Sequence, residues 1–187
     1  MHIAILSTSV RTGRNSHRVG IYFKKFIEEK QLATADLIDL QDYHFPIFEE
    51  RLRFMDNPLP SVVEFASRMQ KAAGIIVITP EYNGGFPASL KNVIDLLSIE
   101  WKGKPTSIVT VSTGPLGGVL VYPSLVFSLW KKGVWVVPAR YQVPQVQEAF
   151  DAQGNPADVP GTEKRTQTFL QELVWFIEAR SKMANTG

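Results

Sequence analysis

A doubly wound α/β domain, with a parallel sheet covered by helices on both sides, is the fold this sequence predicts. Three observations predict it: short, solidly apolar runs recur along the chain, segments with helical spacing separate them, and small or turn-forming residues mark the junctions. Strands buried on both faces lose the in–out alternation of half-exposed strands, and their alternation with helices calls for a parallel sheet between two helical layers.

His2–Ser7 is β-branched and aliphatic, stops at Ser7-Thr8-Ser9, and reads as a buried strand. From Ser16 to Glu29, Val19, Phe23, Phe26 and Ile27 keep one apolar face while Lys24, Lys25, Glu28 and Glu29 take the other, which predicts an amphipathic helix. Thr34–Leu40 is a second strand, and Val62, Phe65, Ala66, Met69 and Ala73 mark a helix starting near Pro60 and Ser61. A long connection, Gln41 to Leu59, lies between them. Strands are then expected at Ile75–Thr79, Thr106–Ser112 and Val134–Val137, and helices at Pro87–Ser98, Val119–Lys132 and Thr162–Lys182. Gln147 to Pro160, with Gly154, Asn155 and two prolines, reads as a loop. Five strands and five helices with no internal repeat or separating linker make one domain over residues 1–187.

Composition narrows the chemistry. Hydrophobic content of 44%, charged content of 20%, 13 Gly and 12 Pro in 187 residues are ordinary for a soluble globular domain and exclude collagen, coiled coil and disorder. Such a chain hides roughly 70% of its unfolded surface, enough for a core without staples. The absence of cysteine removes thiol nucleophiles, dithiol pairs, iron–sulfur clusters and thiolate zinc, and His2, His17 and His44 are too far apart for a short-range ligand pair. No metal site is expected, so redox chemistry would need a borrowed cofactor. Lys+Arg 20 against Asp+Glu 18 gives +2, too slight a surplus for a protein dedicated to nucleic acid or an anionic membrane. The amino terminus lacks a charged-then-apolar leader and no apolar run is long enough to span a bilayer, so the cytoplasm is the expected compartment.

In open α/β sheets the ligand crevice lies beyond the carboxyl ends of the strands, which directs attention to three loops. The first, Ser7 to Ser16, joins a strand to a helix and carries several hydroxyls, Gly13, Arg11 and Arg14. Free N–H groups at a helix start favour phosphate, and guanidinium groups add charge-assisted bonds, so this loop is a seat for a phosphate monoester. Neither G-x-x-x-x-G-K-[ST] nor G-x-G-x-x-G occurs, which leaves a mononucleotide as the candidate ligand. The second loop, Thr79 to Pro87, contains Asn83-Gly84-Gly85, which accepts positive φ and can aim backbone N–H groups at the edge of a flat heterocycle. Lys91 and Asp95 are read as an i, i+4 pair on the helix surface, and Glu81 is a lone carboxylate without a partner. The third loop, Ser112 to Gly118, again places small residues between a strand and a helix.

These residues carry a resemblance. Pro80-Glu81-Tyr82-Asn83, then Pro87, then Leu90-Lys91-Asn92-Val93-Ile94-Asp95 matches the P-E-Y-N…P…L-K-N-x-I-D pattern of the NADPH-dependent FMN reductase family of flavodoxin-like folds, which includes quinone, azo-dye and chromate reductases. Ser9-x-Arg11 and the polar residues through Ser16 resemble its phosphate loop, and Phe45-Pro46 and Ala149-Phe150-Asp151 extend the similarity over most of the chain. This chain departs in having Thr8 and Arg14 where the family often has Gly and Ser, and Pro115 has no N–H to give the ligand. The resemblance implies a flavodoxin-like three-layer sandwich with strand order 2-1-3-4-5. It implies an FMN phosphate held by Ser9, Arg11, Asn15 and Ser16, with Arg14 added, and a ring meeting Pro80, Glu81, Tyr82 and Asn83 on one side and Ser112, Thr113 and Gly117 on the other. It further implies hydride transfer from NADPH to FMN and on to quinones, azo compounds or metal oxyanions through one site used alternately. The protein then orients and the cofactor carries the electrons.

Remaining residues have plainer readings. His2 and His17 are structural or solvated, His17 being close enough to the phosphate loop for a minor contact, while His44 sits on the connection where it could approach the ring. The segment Val119–Trp130 is apolar nearly all round, which with Phe86 and Trp101 points to a homodimer or homotetramer, as the family resemblance also implies. Phe45, Phe48, Leu52, Phe54 and Met55 give the long connection the material to wall a flavin pocket. Two rival readings are an FMN electron carrier without NADPH turnover, disfavoured by near-neutral charge and by arginines at the site, and a nucleotide- or phosphoprotein-binding regulator.

Overall fold

In the computed structural model, which describes residues 1–184, a parallel sheet has the order β2-β1-β3-β4-β5. The elements are β1 (His2–Ser7), α1 (Ser16–Glu29), β2 (Thr34–Asp39), α2 (Pro60–Lys71), β3 (Gly74–Pro80), α3 (Ala88–Leu96), β4 (Pro105–Val111), α4 (Val121–Lys131), β5 (Trp135–Val143), α5 (Val146–Ala149) and α6 (Val159–Ala184). The expected flavodoxin-like order is therefore present, with helices on both faces. The last three residues of the expected 1–187 domain lie outside the described residues.

The solid apolar runs sort by parity. Ala4, Leu6, Ile75, Val77 and Ile108 face a core shared with α2, α3 and α4, whereas Ile3, Ile5, Ile76, Ile78, Val109 and Val111 face the core under α1 and α6. Alternate side chains leave opposite faces of a strand, so one run feeds two cores. β3 and β4 are buried at every position. Register pairs Ser7 with Asp39 on one side and Ile78 on the other, and Pro80 with Val111, so the strand ends bearing the polar loops lie along one edge of the sheet.

Several expected boundaries move. β5 runs Trp135–Val143 instead of ending at Val137, because it is an outer strand whose second half is only intermittently buried, and solid hydrophobicity stops marking it. Its register slips against β4 between Thr106 and Ile108, next to Pro138, a residue that cannot donate to a ladder. The stretch expected to be loop from Gln147 holds most of the one-turn helix Val146–Ala149 and an antiparallel bridge between Phe150 and Pro156, and α6 begins at Val159, ahead of Thr162. α3 ends at Leu96, where Leu97 turns extended (ψ 156), and α4 is shorter than expected at both ends. Two 3-10 turns, Leu40–Asp42 and Leu52–Phe54, punctuate the long connection. No helix among the described residues is long and apolar enough to cross a membrane.

Candidate functional site

The loop after β1 is tied down from several directions. The Thr8 backbone N–H and hydroxyl both donate to the Ile78 carbonyl (3.1 and 3.0 Å), fastening the loop to β3. Ser9 Oγ lies 2.6 Å from the Tyr82 hydroxyl, a direct bridge between the first and second loops, and accepts the Arg11 N–H at 3.3 Å. The Arg14 guanidinium donates to the Ser9 carbonyl (2.7 Å) and, through both terminal nitrogens, to the Asp39 carboxylate. Such a two-pronged pair fixes orientation as well as charge. Asp39 ends β2 opposite Ser7, so sheet register itself brings the carboxylate under the loop. His17 Nδ1 lies 3.1 Å from Ser7 Oγ and 3.2 Å from Asp39. Its pKa falls below the usual 6.5 chiefly through burial, opposed by Asp39 and assisted, more weakly, by Arg14.

At the start of α1 the polar groups are left open. Asn15 precedes the helix but gives it no side-chain cap, its carbonyl oxygen instead accepting from Arg18 at 2.8 Å. Ser16 is 2% exposed, and its hydroxyl has no hydrogen-bond partner. A buried, unpaired hydroxyl costs free energy, and the first N–H groups of a helix have no intrahelical acceptor. Arg11 is exposed, and its guanidinium makes no ion pair among the described residues.

The second loop closes with reciprocal bonds between Tyr82 and Gly85 (2.9 and 3.1 Å) around Asn83 (φ 52°) and Gly84 (φ 76°), a tight turn of the primed type. The third is held by Ser112 Oγ donating to the Gly114 carbonyl (2.9 Å) and by Val146 N–H donating to the Ser112 carbonyl (3.0 Å).

The loops enclose a cavity of about 160 Å³. Of the predicted site residues, Arg11, Arg14, Asn15, Ser16, Pro80, Glu81, Tyr82, Ser112 and Thr113 line it together. The other three are placed elsewhere. Ser9 is fully buried behind Tyr82, Asn83 stands exposed at the turn tip, and Gly117 is packed on β5, where a Cβ would come 3.0 Å from Gln142 Cβ. The Gly117 carbonyl accepts from Thr110 Oγ1 at 2.6 Å, which makes it part of the loop's footing. Sequence reasoning missed Asp39; the available signal was an acidic residue closing a buried strand. It also missed Val146, which lines the cavity from the unforeseen α5. His44 lines a separate apolar cavity of about 530 Å³ with Val10, Phe45 and Ile47.

Sheet order and a hydroxyl- and guanidinium-lined crevice at the strand ends define a flavodoxin-like α/β protein. The match with solved folds agrees: FerB, a flavoenzyme NAD(P)H:(acceptor) oxidoreductase from Paracoccus denitrificans, superposes with a TM-score of 0.74 over 95% of this chain and 97% of its own at 24% identity. Flavodoxin from Pseudomonas aeruginosa does so at 0.57 over 92% and 99%, with 17% identity. The chain belongs to the NADPH-dependent FMN reductase family, which it matches over residues 1–148, a family of oxidoreductases. It is 37% identical over 131 residues to NAD(P)H-dependent FMN reductase LOT6 of Saccharomyces cerevisiae, covering 63% of this chain and 68% of that one. To a Pseudomonas putida quinone reductase it is 34% identical over 138 residues, 69% of each chain. A Schizosaccharomyces pombe NAD(P)H-dependent FMN reductase is 48% identical over 120 residues, and this match spans 59% of that protein's length.

Proposed function

We propose that this chain, as a single domain over residues 1–187, binds FMN in the crevice and uses it to pass a hydride from NAD(P)H, with NADPH as donor, to quinones, and to azo compounds or metal oxyanions as further acceptors. The observation that carries this reading is the unpaired Ser16 hydroxyl, buried at an uncapped helix start and lining the same cavity as Arg11 and the Pro80–Tyr82 strand end. A phosphate monoester satisfies that hydroxyl, the open N–H groups and the free guanidinium at once. The enclosed volume suits the phosphoryl end of the cofactor and leaves the ring to the rim residues Glu81, Tyr82 and Thr113.

FMN held by Ser16, Arg11 and the open N–H groups of α1 would supply the two-electron chemistry between NAD(P)H and the acceptor. The residues of this chain bind and orient. Ser9 and Tyr82 lock two loops to each other, Asp39 holds Arg14 against the first loop, and the 82–85 turn presents backbone at the crevice rim. Donor and acceptor would occupy the crevice in turn, in a ping-pong order, with the proton that completes reduction of a quinone taken from solvent. Assembly as a homodimer or homotetramer in the cytoplasm, without nucleic-acid or membrane partners, completes the proposal. The test is to load purified protein with FMN and add NADPH without air. Bleaching of the yellow colour, reversed by a quinone, supports the reading. Tight FMN binding with no bleaching favours the electron-carrier alternative, and absence of FMN binding overturns both.

A further inference from the structure

A second cavity, about 580 Å³, opens between α3, the end of α4 and the segment 51–53, and shares no residue with the crevice above. It is lined by six cations, Arg51, Arg53, Lys91, Lys102, Lys131 and Lys132, against one carboxylate, Asp95. The whole chain carries only +2, so the rest of the molecule is net negative and this concavity holds a strong local surplus of positive charge. Of the six, only Lys91 is in an ion pair among the described residues, with Asp95.

Helix ends account for part of the cluster. Lys131 is in the last turn of α4, and Lys132 Nζ donates to the Leu97 carbonyl (2.8 Å) just past α3, where cations complement the dipole. That explanation fails for Arg51 and Arg53, which flank and form a 3-10 turn, and for Lys91, which sits in the amino-terminal half of α3, where a cation is disfavoured. These three crowd Lys132, whose pKa is pushed down by burial and, next, by Arg51, with Asp95 opposing and Lys91 and Arg53 adding smaller effects. The arrangement thus holds six like charges together with one carboxylate, Asp95, to offset them. Ile94, Ile99 and Phe127 supply apolar walls, Phe127 packing against Trp130 with ring centroids 5.9 Å apart. The volume falls within the range of small-molecule sites, and a concave shape favours a compact ligand over a flat lipid surface.

We infer that this cavity is a binding site for a nucleotide bearing at least two phosphate charges, its phosphates facing the Arg51, Arg53 and Lys102 side and its base against Ile99 and Phe127. The site is independent of the FMN reading, since neither its residues nor its charge depend on the crevice. A free nucleoside diphosphate and the adenosine diphosphate portion of a dinucleotide share this chemistry.

The test uses FMN-saturated protein, so that the crevice is filled; retention of FMN is read separately from its absorbance, and a chain that fails to hold FMN is titrated as purified. Calorimetric titration with ADP should show saturable binding of one ADP per chain, weakened by salt, with adenosine giving no heat. Arg51→Ala/Arg53→Ala should raise the dissociation constant about tenfold or more, with FMN affinity unchanged. Lys102→Ala, on a different segment, should act in the same direction, and Asp95→Asn should tighten binding. Competition of NADP⁺ with ADP assigns the site to a dinucleotide, and its absence assigns it to a free nucleotide; either supports the site. Adenosine binding as well as ADP, identical ADP affinity in both cation variants, or no saturable binding below about 1 mM overturns it.

Discussion

Ser16→Ala should move two measurements in opposite directions. In the ligand-free protein the Ser16 hydroxyl is buried and unpaired, and an orphaned hydroxyl of this kind costs about 1 to 3 kcal/mol. Alanine removes that cost and leaves only the small volume of one oxygen, so ligand-free stability should rise by about 1 kcal/mol, or roughly 2–4 °C in melting temperature for a chain of this size. The same hydroxyl is the one proposed to donate to the FMN phosphate, and a hydrogen bond to a charged group contributes about 1.5 to 3 kcal/mol. Affinity for FMN should therefore fall about tenfold to a hundredfold. Urea unfolding of cofactor-free protein gives the first quantity, and quenching of FMN fluorescence the second. A variant that is less stable when empty and binds FMN with unchanged affinity would refute the assignment, because the hydroxyl would then be satisfied within the protein and irrelevant to the ligand.

Three further outcomes follow from the same geometry. Arg11→Ala should weaken FMN by about 1.5 to 3 kcal/mol with little change in unfolding free energy, since Arg11 is exposed and unpaired; fluorescence titration and urea melts separate the two. Asp39→Asn removes the carboxylate that holds Arg14 in a largely buried pair, and stability should drop by about 2 kcal/mol, less than for a fully dry pair because Arg14 keeps its bond to the Ser9 carbonyl; the value is read from urea unfolding. His17 should titrate below 6.5 by proton NMR. With the folded value depressed, the unfolded chain takes up the proton first, so this group's contribution to stability is intact above about 6.5 and is lost as pH falls below it, and bound phosphate should raise the His17 value.

How much could be read in advance depended on which physical signal each part carries. Strands buried on both faces announce themselves by unbroken Ile and Val, and β1, β3 and β4 were legible on that basis. β5 was only half visible, because burial of an outer strand lapses at Pro138 and Arg140, and because its slipped register arises from pairing with β4 and not from anything local. α5 is one turn long, too short to show a period. Loop composition and the P-E-Y-N resemblance marked nine residues that share the small cavity. Asp39 escaped because its role comes from lying beside Ser7 across a strand pair, a relation that only the sheet register reveals. Asn83 has the backbone freedom its turn requires, at φ 52°, and Gly117, implied by the family resemblance, turns at φ 61°, but freedom to turn does not say what the turn then faces.

The register slip beside Pro138 has a consequence for the outer flank of the sheet. A foreign strand laid along β5 would meet a proline and a slipped register midway, which disfavours extension of the sheet at that edge.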